Sequence, residues 1–292
     1  MQSLWMLAAA LCFSAMGVCV KLASESYSAA ETVFYRGLIG VVVMYLTMRA
    51  GRETLRTAHL GMHLSRGLIG STSLALWFAS ITMLPLATAM TLNNTSPVWL
   101  ACLVMIGAAL TGRRKASPAL VVAIVVSFAG VVYLLQPHMD RREMLGGALG
   151  LTSGLISAFA YLTVRELGKR GESETRVVFY FSVTTAVFGA VWMLFSDVHP
   201  LTWSGFLVLG GIGFFATLAQ ILLTRAYRLG NPLLTVNLQY AGIVFSTGWG
   251  MLLWNDSLNL LSWAGMALII ISGAVATLGQ TRKEPKREAS AS

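Results

Sequence analysis

The chain has 292 residues, of which 56% are hydrophobic and only 11% charged, whereas a water-soluble domain usually carries about a quarter charged residues. Too little polar surface remains to coat a soluble fold. The net charge of +9 does not indicate nucleic acid, because the basic residues sit in short loops between apolar runs and form no single stripe.

Apolar runs of about 20 residues, the length that crosses a hydrocarbon core of about 30 Å, recur along the chain. Punctuation by charge clusters, Gly and Pro predicts ten spans. The first, 4–23, lacks a basic n-region and a small-residue cleavage site, so it reads as a retained helix. Span two, 29–49, carries Arg36 several residues inside its outer end. An isolated charge at such depth costs at least a few kcal/mol, about 2.5–3.5 on insertion scales. Two explanations stand for it: snorkelling toward outer headgroups with help from Glu31, or a charge at the outer mouth that meets a substrate carboxylate. Span three, 63–84, contains Trp77. Span four, 86–110, contains Asn93-Asn94-Thr95-Ser96-Pro97 near its middle, where Pro97 removes a backbone donor and breaks the helix. Polar groups freed there must bind their own backbone, meet neighbouring helices or line a wet cavity.

Span five, 117–135, closes the first half, and span six, 145–167, opens the second with Gly146, Gly150, Gly154 and Ala158 on one face. Such a face allows close helix approach, either as static packing or as a sliding surface. Spans seven to ten fall at 176–196, 202–225, 231–254 and 260–280. With the N-terminus cytoplasmic, the inner loops and tail collect the basic residues and leave only Lys21, Arg36, Arg141 and Arg142 on the other half, which is the positive-inside pattern. Both termini are therefore expected in the cytoplasm, with residues 281–292 as a basic tail. Cys12, Cys19 and Cys102 lie in apolar runs without ligand spacing, and His59, His63, His138 and His199 lie in loops or at helix ends. No metal, cofactor or ATP site is expected, and no phosphate-binding loop is present.

The halves resemble one another. Val33-Phe34-Tyr35 matches Val178-Phe179-Tyr180 at an offset of 145 residues, while Ser14 matches Ser157, Ile69-Gly70 matches Ile212-Gly213, Asn94 matches Asn237 and Gly130 matches Gly273, each at 143. The constant order and spacing indicate a duplicated unit. Five spans is an odd number, so the second unit must enter the membrane upside down, as in secondary transporters whose site lies at the midplane between repeats. The expected fold is an all-α integral membrane protein of ten transmembrane helices in two inverted five-helix repeats, residues 3–135 and 145–280.

The midplane residues suited to a substrate site are Ser14, Trp77, Asn94, Trp99, Tyr161, Gln220, Gln239 and Tyr240. Amides can donate to and accept from a polar solute, and the aromatics can shape a stacking wall; plain helix packing is the competing explanation for each aromatic. None of the twelve Asp and Glu residues falls near a span centre. A proton-coupling carboxylate relay and an enzymatic acid-base constellation are therefore not expected, nor is the charged ring of a channel.

Trp5 to Leu22, Val33-Phe34-Tyr35-Arg36, Ser96-Pro97-Val98, Gly130 and Gly273 together resemble the EamA family of the drug/metabolite transporter superfamily over residues 3–280. One departure is Asn255-Asp256 where that family often carries Gly-Glu. The resemblance implies a bacterial inner-membrane transporter of small organic metabolites, monomeric or homodimeric, most simply an exporter of amino acids or related polar molecules. Multidrug efflux and uptake of a nucleoside- or cofactor-like metabolite are the alternatives.

Overall fold

The computed structural model describes residues 4–96, 98–100, 102, 103, 106, 118–135, 140–229, 235 and 238–281. Among them lie ten helices: α1 (Trp5–Ala23), α2 (Ala29–Ala50), α3 (Leu60–Met83), α4 (Leu86–Asn93), α5 (Pro118–Leu135), α6 (Arg141–Lys169), α7 (Glu174–Met193), α8 (Trp203–Leu229), α9 (Ala241–Trp254) and α10 (Leu260–Thr281). By length and composition α1, α2, α6, α7 and α8 are apolar enough to cross a membrane, and shorter apolar stretches occur at Ile124–Tyr133, Ala241–Trp254 and Leu260–Ser272. α3 is 24 residues long, about 36 Å at 1.5 Å per residue. It carries His63, Arg66 and several serines and falls outside the apolar set.

Helix packing is symmetric under the exchange of each helix with the one five places on. α2 packs on α7, α5 on α10 and α4 on α9; α1 packs on α8 as α3 does on α6, and α1 on α9 as α4 does on α6. The tightest approach joins α2 and α7. A Cβ on Gly37 would lie 2.4 Å from the Ala186 nitrogen, and one on Gly189 would lie 2.5 Å from the Phe34 nitrogen. Only hydrogen at these positions lets the two backbones meet. The glycine face of α6 is packed in the same manner: added methyl groups on Gly146, Gly150 and Gly154 would strike Met83, Ser80 and Thr95, so this stripe seats α6 against α3 and the end of α4.

The break expected in span four is present. α4 ends at Asn93, a turn follows at Asn94 and Thr95, and Val98 and Trp99 donate back to the Thr95 carbonyl at 2.9 and 3.1 Å. Pro97 lies outside the described residues. Self-capping accounts for Thr95, whose hydroxyl donates to the Leu92 carbonyl at 2.6 Å. The two asparagines instead reach other helices.

Each end of the bundle is tied by a polar strap, and the two straps join equivalent connections of the two halves. In one, Glu31, which forms a capping box with Ser28 at the start of α2, accepts from the His199 backbone at 2.7 Å and lies 3.0 Å from its ring Nδ1. The Tyr27 hydroxyl accepts from the Thr202 backbone at 3.1 Å. Glu31 is thus committed to the α7–α8 connection and does not neutralise Arg36, as the sequence had suggested. In the other strap, Glu172 between α6 and α7 accepts from Thr57 in the α2–α3 loop and from Arg176 at 2.7 Å. His63 Nε2 stands 3.5 Å from the same carboxylate, and the Tyr180 hydroxyl donates to the Leu55 carbonyl at 2.8 Å. His63 is buried in this strap.

Lys21 lies 3.8 Å from Asp256 and over the Trp254 ring at 4.7 Å, which fastens α1 to the end of α9. Asn255 there adopts φ 52°, the left-handed conformation that Gly takes most readily and Asn next. The departure from Gly-Glu therefore keeps both a residue fit for this backbone and a carboxylate after it.

Two outcomes follow. Gly37→Ala should destabilise the protein by about 1–3 kcal/mol through overpacking, seen as a lower melting temperature in detergent, whereas Gly61→Ala, with open space around it, should melt as the parent does. Burial pushes the Glu172 carboxyl up, but the hydrogen bonds from Thr57 and Arg176 and the nearby positive charge bring it below its ordinary value. Its contribution is complete above the unfolded carboxylate value of about 4.3 and disappears as pH falls through the lower folded one. Melting scans from pH 6 to pH 3 should show an acid loss of stability that is reduced in Glu172→Gln, a variant already less stable at pH 6.

Candidate functional site

A cavity of about 70 Å³ lies among α1, α3, α4, α6, α7, α8 and α9, bounded by both halves of the chain. Of the residues selected from sequence, Trp77, Asn94, Tyr161, Gln220 and Gln239 line it. Trp77 and Gln220, equivalent at an offset of 143 residues, face the same space from α3 and α8. The Gln239 amide donates to Asn94 Oδ1 at 3.2 Å and accepts from the Tyr227 hydroxyl at 3.0 Å, while Tyr227 stacks on Tyr161 with ring centroids 5.5 Å apart. This chain of contacts couples the broken end of α4 to the start of α9, and its equivalent Asn237 lies outside the described residues.

The other selected residues sit elsewhere. Ser14 donates to the Leu11 carbonyl at 2.8 Å and accepts from the Trp249 indole at 3.3 Å, which turns it toward α9 and away from the cavity. Trp99 packs edge-on against Phe128 at 5.1 Å. Tyr240 is buried in the main apolar core. Arg36 is only 3% exposed with its guanidinium 4.7 Å from the Phe181 ring centroid, so it occupies the bundle interior and not an open outer mouth.

Sequence reasoning missed Arg66, which it counted with the inner-loop charges. Arg66 belongs to α3, is 3% exposed, lines the cavity and lies over the Phe181 ring at 4.2 Å. Phe181 therefore serves two guanidinium groups, one from α2 and one from α3. The sequence opened span three at 63 and so put Arg66 only three residues inside, whereas α3 starts at Leu60 and carries Arg66 six residues in, about 9 Å along the axis.

The polar wall has two chemical regions. On one side the hydroxyls are satisfied: Ser73 donates to the Ser153 carbonyl at 2.9 Å and pairs with Ser157 at 2.6 Å, and Asn93 donates to the Ser153 hydroxyl at 2.9 Å. On the other, Arg66 Nε and Nη1, Trp77 Nε1 and Asn94 Nδ2 are buried and have no hydrogen-bond partner. All four are donors. Among the described residues the cavity lining includes no Asp or Glu, and no His, Cys, Asp and Glu group could hold a metal ion.

Residues 1–136 and residues 144–278 each match the EamA-like transporter family. The pseudopaline exporter CntI of Pseudomonas aeruginosa is 32% identical over 276 residues, which cover 94% of both chains. A riboflavin transporter of Vibrio cholerae is 28% identical, over 96% of this chain and 94% of its own. An S-adenosylmethionine uptake transporter of Rickettsia felis is 26% identical over 83% and 80%. A solved crystal structure covering 95% of this chain and 98% of its own shares the fold with a TM-score of 0.68 at 22% identity. The chain belongs to the EamA-like transporter family, and its role is transport of a small molecule across a membrane rather than catalysis.

Proposed function

We propose that the protein is a secondary transporter that exports amino acids or related polar metabolites across a bacterial inner membrane by alternating access, as a uniporter or an exchanger. The observation that carries this reading is the polar cavity placed between the two halves of the chain, where repeat-built transporters hold their substrates. Its volume is smaller than a typical ligand pocket of about 300–1,000 Å³, in keeping with a closed-over site that widens as either side opens. The symmetric helix pairing and the two family matches support a reading of ten spans in two inverted repeats, 3–135 and 145–280. Both termini then face the cytoplasm, with the tail at 281–292, and the transporter works as a monomer or homodimer.

Among the described residues the cavity wall carries no carboxylate, which bears on both cargo and coupling. A cation-extruding multidrug pump needs a negative group to hold its cargo, and a proton-coupled carrier needs a titratable group at the site. The cavity supplies a fixed positive charge instead. Uptake of a cofactor-like metabolite is the second reading, favoured by the riboflavin and S-adenosylmethionine relatives.

In proteoliposomes loaded with single metabolites, flux should appear for polar organic solutes and persist when a protonophore collapses the proton gradient; accumulation lost with the gradient would sink the uncoupled mechanism. Asn94→Ala, Gln220→Ala and Gln239→Ala should each slow flux about tenfold, the loss expected for one or two polar contacts. Normal transport in all three refutes the proposed site.

A further inference from the structure

Building on the transport reading, we infer that the substrate is an organic carboxylate of net negative charge, with its carboxylate bound by Arg66 together with the Asn94 amide and the Trp77 indole. Three observations converge on this. Arg66 is nine-tenths or more buried, lines the cavity and leaves Nε and Nη1 without partners. The remaining buried polar atoms without partners on the cavity wall, Trp77 Nε1 and Asn94 Nδ2, are also donors. A carboxylate is the complement of such a wall: two oxygens with about four acceptor sites, matched by a guanidinium and two neutral donors.

The nearby groups explain why the charge has been left for a substrate. Phe181 holds the guanidiniums of Arg66 and Arg36 against its ring, and an aromatic face attracts a cation without filling its hydrogen bonds. Glu31, a carboxylate on the same helix as Arg36, is bound instead by Ser28 and His199. Glu172 is bound by Thr57 and Arg176 in the opposite strap. Arg36 does not line the cavity, so its part is to strengthen the positive field around the site while Arg66 makes the contact. A single cation on the wall matches a carboxylate better than a phosphate dianion, which would call for more positive charge.

The test is equilibrium binding to the purified full-length chain in nanodiscs, read by thermal shift and tryptophan fluorescence. The probes are L-glutamate, N-acetyl-L-glutamate and citrate as carboxylates, N-acetyl-L-glutamine as a neutral amide and agmatine as a cation. At least one carboxylate should bind about tenfold or more tightly than the amide, the margin of a charge-assisted hydrogen bond. Arg66→Gln should erase that margin, and Arg66→Lys should keep the sign of the preference with weaker binding, because it retains charge but loses the fork. If Arg66→Gln does not yield folded protein, Arg66→Lys decides the matter: binding equal to the parent overturns the assignment. So does failure of every carboxylate to bind, or binding and flux of the amide or agmatine that Arg66→Gln leaves unchanged, although that last result would leave the transport reading standing. Arg66-dependent carboxylate binding without flux in proteoliposomes would keep the site and remove the transport reading.

Discussion

Where α2 and α7 cross, the absent side chains of Gly37 and Gly189 let one backbone lie against the other, and the interior charge arrangement depends on that contact. It places Phe181 of α7 within reach of Arg36 from α2, and α3, which packs beside both, adds Arg66 to the same ring. Each guanidinium in the bilayer interior costs at least about 2.5–3.5 kcal/mol, while a desolvated cation–π contact returns about 2. One ring does not offset two cations. The surplus is tolerable because Arg66 borders a polar cavity, where water or a substrate can meet it, and because the packing that fixes both arginines is itself extensive.

The symmetric helix pairing gives the two straps their significance. The Glu31–His199 strap joins the α1–α2 turn to the α7–α8 connection, and the Glu172 strap joins the α6–α7 turn to the α2–α3 loop, which are equivalent connections in exchanged halves. In an inverted pair of repeats they lie at opposite faces of the membrane. Glu31 is held by Ser28 and His199, and Glu172 by Thr57 and Arg176, so neither carboxylate is left without donors in the connection it ties. Lys21 and Asp256 add a weaker, partly exposed tie between α1 and α9.

Much of this was readable in the residues. The offset between Trp77 and Gln220 identified two groups that do face one cavity, and the amides of spans four and nine do meet, through Asn94 and Gln239. Depth along a helix can be counted from sequence, whereas the direction of a side chain around its axis depends on neighbours. Ser14 illustrates the difference: it is one turn from Ala10 and next to Phe13, both of which line the cavity, yet its hydroxyl is taken by the Leu11 carbonyl and the Trp249 indole. Trp99 and Tyr240 were at suitable depth as well, and the structure gives them to packing. Arg66 was hidden by the charge rule that oriented the chain, since a cation near an inner helix end satisfies that rule whether it reaches the headgroups or turns inward.

The same buried charge constrains how the transporter cycles. If a carboxylate seats on Arg66 as proposed, it offsets that charge, whereas an empty site leaves the guanidinium to water. On the proposed transport reading, an empty site must keep Arg66 hydrated, and that requirement bears on uniport more than on exchange. A fixed carboxylate beside Arg66 would offset its charge but would also occupy the donors proposed to recognise the substrate, and among the described residues the cavity wall carries none.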